Sequence, residues 1–218
     1  MKFLLPPGLL ASLLVFVSFI PCSEASKSTV PASPLASYSA AWNDAKYLKC
    51  NTAAKANYMS ATEKEVIYIL NLARTNPALF TTTVVQQYPT KTNSEYLRKI
   101  WYYTGLLDTM KTIKPLPLLT PDSLCFEGAF CHAANSGKEG YFGHQRSKAE
   151  CQQKEHFRGE CCDYGHNQAL DILMSLLIDE GVPSLGHRDI CLTRYNKIGV
   201  AIQPHSSWSY VAVLDFFY

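Results

Sequence analysis

The run Trp208-Ser-Tyr-Val-Ala-Val-Leu-Asp-Phe-Phe217 constrains the fold more than any other stretch. Side chains alternate along a strand, so Trp208, Tyr210, Ala212, Leu214 and Phe216 share one face. Val211, Val213 and Phe217 share the other, which makes the strand apolar on both sides. Such a strand needs one layer above it and another below. Ile198, Val200 and Ile202 alternate with small residues and supply a neighbouring strand, with a turn expected around Pro204. Helical patterns dominate the first two thirds of the chain. The expected fold class is therefore α+β, a three-layer α/β/α sandwich around a small antiparallel sheet.

The helical signals are local. Ser60-Ala-Thr-Glu63 has the spacing of a capping box, and Val66, Ile67, Leu70 and Ala73 recur at helical spacing behind it. Asn76-Pro77 starts a second helix, with Asn as N-cap and Pro at the first helical position. Ser94 to about Met110 reads as another. Lys114-Pro-Leu-Pro-Leu is an extended connector, after which Thr120-Pro121 is expected to cap a helix stopping at Gly137. Residues 140–165 lack regular periodicity and hold three cysteines, so a disulfide-braced loop is expected there. Asn167 is expected to cap a helix running to about Asp179, with Ala169, Leu170, Leu173, Leu176 and Leu177 as its apolar stripe.

A chain of 218 residues is long enough for one sizeable core. A net charge of +2 without any basic run gives no reason to expect a nucleic-acid partner. Lys2, the apolar run Leu4–Ile20 and the small residues of Ser23-Glu24-Ala25 predict a cleaved signal peptide over residues 1–25. Pro6 and Pro7 break that run, which argues against a membrane span, so no transmembrane segment is expected after cleavage. Phe19-Ile20-Pro21 lacks the small residues that a lipidated Cys22 would prefer. Residues 26–41, rich in Ser, Ala and Pro, read as a flexible lead-in to a single domain over 42–218. Export to the extracellular space, or to the periplasm of a Gram-negative bacterium, fits eight cysteines without a C-x-x-C pair. Cleavage leaves seven of them, most expected in disulfides. Cys151 and Cys191 are plausible partners, while the adjacent Cys161 and Cys162 are each expected to reach elsewhere. Cys50, Cys125 and Cys131 stay unassigned.

Chemistry concentrates between Phe142 and Tyr195. Phe142-Gly143-His144, Gly159-Glu160, Asp179-Glu180 and Gly186-His187-Arg188 bring two imidazoles and several carboxylates from separate segments. Imidazole is the commonest side-chain ligand for transition metals, and carboxylates orient it or act as acid and base. Taken singly, each of these is an ordinary polar residue. His132, His156, His166 and His205 read as surface or capping residues, with His156 the best spare ligand. No G-x-S-x-G elbow, H-E-x-x-H helix or Gly-rich phosphate loop is present. A Cys-His hydrolase would require a free thiol in an oxidising compartment.

Four pieces in order resemble the CAP superfamily of cysteine-rich secretory, antigen-five and pathogenesis-related proteins. They are Leu70-Asn71-Leu72-Ala73-Arg74-Thr75-Asn76-Pro77, then Phe142-Gly143-His144, then Gly159-Glu160, and finally Gly186-His187-Arg188-Asp189-Ile190 with Ile198-Gly199-Val200 and Asp215-Phe216. Together they span about residues 60 to 218, and the Gly-His-Arg form is similar to the bacterial and protist-like branch. The resemblance implies the α/β/α fold and a tetrad of two histidines and two acids. His144, His187 and Glu160 carry over directly; Asp179 takes the remaining acidic position, with Glu180 the alternative. Asp179 stands where the family carries Glu, and Cys161 where it carries Asn after Gly-Glu. Two imidazoles with such partners suit a divalent metal ion, zinc foremost. Three function classes stay open: a secreted binding protein for a lipid, sterol, surface or extracellular protein; a metal-dependent hydrolase using Glu160 as general base; and a structural disulfide-braced module.

Overall fold

Ser60 and Glu63 close the capping box that their spacing predicts. Ser60 Oγ accepts from the Glu63 N–H at 3.3 Å, and Glu63 Oε2 accepts from the Ser60 N–H at 2.6 Å. They open α1, Ala61–Thr75. Glu63 Oε1 also accepts from Ile202 N–H at 2.8 Å, so the same carboxylate ties the start of α1 to the sheet. In this computed structural model residues 1–3 and 32–218 are described, and the signal-peptide reading over 1–25 falls outside them but for its first three residues.

Asn76 caps α2 (Pro77–Phe80) as expected, accepting from the Leu79 N–H. The chain then passes through a π-type turn over Thr81–Val85 into α3 (Tyr88–Lys91). The helix expected over Ser94–Met110 is in two parts, a 3₁₀ segment at Glu95–Lys99 and α4 at Trp101–Thr112. Ile100, extended at ψ 142°, separates them.

Thr120-Pro121 is not a cap but a two-residue strand, β1. Asp122 is the N-cap of α5 (Ser123–Glu139), its Oδ1 accepting from the N–H groups of Leu124 and Cys125. This helix runs through Gly137 and stops at Gly140, which is left-handed at φ 73°. Gly137 serves a close approach instead: a Cβ there would lie 2.1 Å from the carbonyl oxygen of Pro204. The expected loop over 140–165 contains α6 (Ala149–Gln153) and β2 (Gly159–Tyr164). Its Cys-Cys sequence hid the strand. After it come α7 (Ala169–Ile178), α8 (Gly186–Cys191), β3 (Lys197–His205) and β4 (Ser209–Phe217). Gln168, not Asn167, precedes α7.

The sheet order is β1-β3-β4-β2. β1 runs parallel to β3 and the other pairings are antiparallel, so the sheet is mixed and not purely antiparallel as expected. The turn falls after His205, because β3 continues through Pro204. Beyond Ile198, β3 has no described partner on its outer side, and an edge position tolerates a residue without an N–H.

The two apolar faces of β4 enter two separate buried clusters. Ile198, Val200, Leu214, Phe216 and Cys161 join the core shared with α1 and α7. Cys162, Ala201, Val211 and Val213 pack against Ala129 and Ala133 of α5. Gly199 lets α5 lie close, since a Cβ there would meet the Phe126 nitrogen at 2.1 Å. The result is a mixed α/β fold. Packing begins before residue 42, contrary to the lead-in expected over 26–41: Leu35 is fully buried, and the Ser33 N–H donates to Asn43 Oδ1 at 2.9 Å. Among the described residues, no helix is long and apolar enough to cross a membrane.

Cys151 pairs with Cys131, not Cys191, and joins α6 to α5. Cys50, Cys125, Cys161, Cys162 and Cys191 are free and buried. Neighbours on a strand face opposite ways, so Cys161 and Cys162 are absorbed into the cores on either side of the sheet.

Candidate functional site

Two left-handed residues shape one wall of the site. Asp179 ends α7 at φ 61° and Leu185 precedes α8 at φ 54°. Asp tolerates this region better than most residues because its short side chain bonds locally. The loop between them folds back and delivers the Asp179 carboxylate to the start of α8. Oδ2 accepts from the N–H groups of His187 (3.0 Å) and Arg188 (3.3 Å), and Oδ1 lies 2.7 Å from His187 Nδ1. Arg188 is buried and donates to the carbonyls of Leu177, Ile178 and Tyr102, capping the end of α7. Glu180 is exposed and accepts from the Tyr96 hydroxyl. Asp179 is therefore the acid that meets an imidazole, and Glu180 is not.

The second wall comes from the loop after α5 and from β2. Gly143, at φ 116°, turns the chain and donates its N–H to the Tyr164 hydroxyl at 2.9 Å. His144 follows, its Nδ1 2.8 Å from Glu160 Oε1. Arg146 donates Nη2 to Glu160 Oε2 at 2.5 Å and to Asp215 Oδ2 at 3.5 Å, and its guanidinium stacks on Phe157. Glu160 and Asp215 sit directly opposite each other on β2 and β4, so their side chains share a face.

Burial pushes Glu160 upward, but the hydrogen bonds from His144 and Arg146 outweigh it and hold the carboxyl at about 2. Asp215 is fully buried, and burial together with the Glu160 charge pushes it well above the usual range. Burial and the Glu160 charge therefore both favour the protonated form of Asp215 beside Glu160 and Arg146. The Glu160 hydrogen bond raises His144 against the effect of burial. Burial pushes the Cys162 thiol well up, although its sulfur lies 3.6 Å from His144 Nδ1. A neutral thiol is a poor nucleophile.

The two imidazole rings face each other with centroids 6.1 Å apart and planes tilted by 41°. In each ring Nδ1 is engaged by a buried carboxylate, which leaves Nε2 as the ligand nitrogen. Carboxylate-held imidazoles are the usual arrangement around a bound transition metal, so the residues present fit a divalent ion. The rings border a cavity of about 330 Å³, lined also by Phe142, Tyr164, Val182 and Ile190. A second cavity of about 190 Å³ shares several of these residues and reaches Trp208. Phe142 stacks on Tyr164 at 4.1 Å, and both Phe142 and Trp208 are exposed.

Of the remaining histidines, His132 lies beside Glu160 and Cys162 and the other three lie elsewhere. His156 stacks on Phe217, His166 meets Asp163, and His205 Nδ1 accepts from the N–H groups of Ser207 and Trp208. His132 is fully buried, not at the surface, with Nε2 3.0 Å from the Gly143 oxygen. Asn71 and Arg74 of the first motif are structural. Arg74 donates to the carbonyls of Pro117, Cys191, Thr193 and Tyr195, fastening the chain between α8 and β3. Sequence reasoning missed Arg146 and the placement of Asp215 opposite Glu160. The available signal was Asp215 itself, the one acid in a strand otherwise apolar on both faces. No protein-family model matches the chain, and no curated protein is significantly similar to it.

Proposed function

We propose that this chain is a secreted CAP-type binding module with a three-layer α/β/α fold. Its cleft holds a divalent metal ion, zinc foremost, through Nε2 of His144 and His187. The observation that carries this reading is the matched pair of imidazoles, each with Nδ1 engaged by a buried carboxylate from a different element. When bound, the ion supplies a Lewis acid and an anchor for an oxygen-bearing group. The chain's own residues orient it: Glu160 and Asp179 hold the two rings, and Arg146 holds Glu160. Phe142, Tyr164 and Trp208 offer an apolar and aromatic lip, which favours a ligand with a polar head and an apolar body, such as a lipid or sterol.

Hydrolysis with Glu160 as general base is the weaker reading. Both of its oxygens are engaged, and a carboxyl held at about 2 is a feeble base at neutral pH. Calorimetric titration of zinc into the wild type, His144→Ala and His187→Ala tests the metal. One zinc site should vanish in both variants while the fold is kept. If the wild type binds no zinc, or binds it equally after both substitutions, the tetrad is a structural clasp. Native mass spectrometry of the secreted protein reports any lipid retained in the cleft.

A further inference from the structure

A second set of ligand-type side chains lies away from the His144–His187 cleft. Asp122, Cys125 and His156 each offer one ligand atom, and the three atoms all lie within 4.8 Å of one another. Two parts of the fold bring them together, the start of α5 and the segment between α6 and β2. Asp122 is the N-cap of α5, and Cys125 stands three residues on, in the first turn. His156 comes from the segment between α6 and β2, its ring lying on Phe217 at 4.3 Å and 21°. That stack leaves the imidazole little freedom to rotate away.

We propose that Asp122, Cys125 and His156 form a second metal site, one that takes a thiophilic divalent ion such as Zn²⁺. The donor chemistry selects the class. Thiolate with imidazole suits zinc, whereas calcium and magnesium take oxygen ligands alone. Three protein ligands leave a fourth tetrahedral position for water. Cys125 is buried, while Asp122 and His156 are partly exposed, so an arriving ion meets the carboxylate and the imidazole before the sulfur. The electrostatic surroundings are mixed. Lys197 Nζ lies 3.3 Å from Asp122 Oδ2 and must yield that oxygen. Asp215 lies on the same side of Gly128 as the His156 backbone, its Oδ1 without a hydrogen-bond partner, but its raised carboxyl adds little charge to offset Lys197. Binding replaces the S–H bond of Cys125 with an S–metal bond and releases that proton to solvent. The bound ion would clip the first turn of α5 to the segment that leads into Gly159 and Glu160. This site is independent of the His144–His187 reading.

Cobalt(II) is the probe, because coordination by thiolate gives a near-ultraviolet charge-transfer band that imidazole and carboxylate ligands do not. Titrating cobalt into the full chain should raise that band until one thiolate-ligated ion is bound per chain, and added Zn²⁺ should remove it. The band should survive in the His144→Ala/His187→Ala double variant and be lost in Cys125→Ser. His156→Ala, a partly exposed change that leaves the buried thiol in place, should also lose it, which covers a Cys125→Ser variant that does not fold. Absence of the band in the wild type overturns the proposal. So does a band that persists in Cys125→Ser or in His156→Ala, since another thiol, such as Cys162 beside His144, then supplies it.

Discussion

Asp179 holds His187 twice, through the backbone N–H at the start of α8 and through Nδ1 of the ring. One carboxylate therefore fixes both where the helix begins and which ring nitrogen carries the proton. Asp179→Asn separates the two roles. Asparagine keeps the left-handed backbone and caps a helix as well as aspartate, so its oxygen can still accept from the backbone N–H groups of His187 and Arg188. Its NH₂ group then faces Nδ1 as a donor, which drives the ring proton to Nε2 and removes the ligand lone pair. Thermal unfolding should change little, while zinc affinity at the cleft falls roughly 10–100-fold. Unchanged zinc affinity with an intact fold would mean that the Asp179 carboxylate does not orient the ring.

Arg146 neutralises a buried carboxylate, and its loss should show as instability. Glu160, Arg146 and Asp215 side chains are almost wholly inaccessible. Arg146→Met removes the cation and leaves Glu160 with an uncompensated charge, a change that typically costs about 3–5 kcal/mol. Adding Glu160→Gln to Arg146→Met should recover part of that loss, because the stranded charge goes with it. Urea unfolding of the two single variants and the double variant forms the cycle. Strict additivity would show that the pair is not energetically coupled.

Asp215 gives a prediction of opposite sign. Its folded carboxyl is raised by burial and by Glu160, so folding requires a proton that the unfolded chain releases above the ordinary aspartate range. That penalty grows as pH rises and disappears below the unfolded value. Asp215→Asn mimics the protonated acid and removes the penalty. The variant should gain stability relative to wild type at neutral pH and lose that advantage in acid. Glu160 runs the other way: its stabilisation is present above the usual glutamate range and fades as pH falls toward about 2. A larger relative gain for Asp215→Asn in acid than at neutral pH would contradict a raised Asp215 carboxyl.

Much of this was legible in the chain because the signals were local. The capping box at Ser60 and Glu63 and the cap at Asn76 need only a few residues to specify them. The apolar pattern on both sides of β4 is met by burial of both faces. His144, Glu160 and His187 were identifiable because each follows a glycine in an ordered set. What stayed hidden depends on distant partners. Gly159–Tyr164 carries two cysteines and two acids, and becomes a strand only through its pairing with β4. Gly137 looked like a helix stop, yet its role is set by Pro204 from the far end of the chain. Arg146 carries no motif, and its function exists only once β2 and β4 bring two carboxyls together.

The thiols should be silent in the folded protein and numerous in the unfolded one. Cys50, Cys125, Cys161, Cys162 and Cys191 are all buried and free, and Cys131 pairs with Cys151. Alkylation under native, metal-free conditions should leave these five largely unmodified. Denaturation without reductant should expose all five, located by peptide mapping. Finding only one free thiol among the seven would restore the fully bridged arrangement that the composition suggests.

His144 couples proton and metal at one nitrogen. Because Glu160 holds Nδ1–H, the titrating proton sits on Nε2, the same nitrogen that binds the ion. Its hydrogen bond to Glu160 raises His144 above the ordinary value near ~6.5, so Nε2 keeps its proton to higher pH than a free imidazole. The sign then differs with and without metal. In the metal-free protein, a raised histidine stabilises the fold below its unfolded pKa, and that contribution is lost as pH rises through the folded pKa. With zinc, the ion binds the deprotonated ring, so stabilisation grows as pH rises through the same range. The difference in melting temperature between wild type and His144→Ala should therefore shrink with rising pH in chelator and widen in excess zinc. Glu160→Gln should shift both trends to lower pH, because it removes the group that raises His144. Parallel trends with and without zinc would mean that the ion does not compete with the proton on His144.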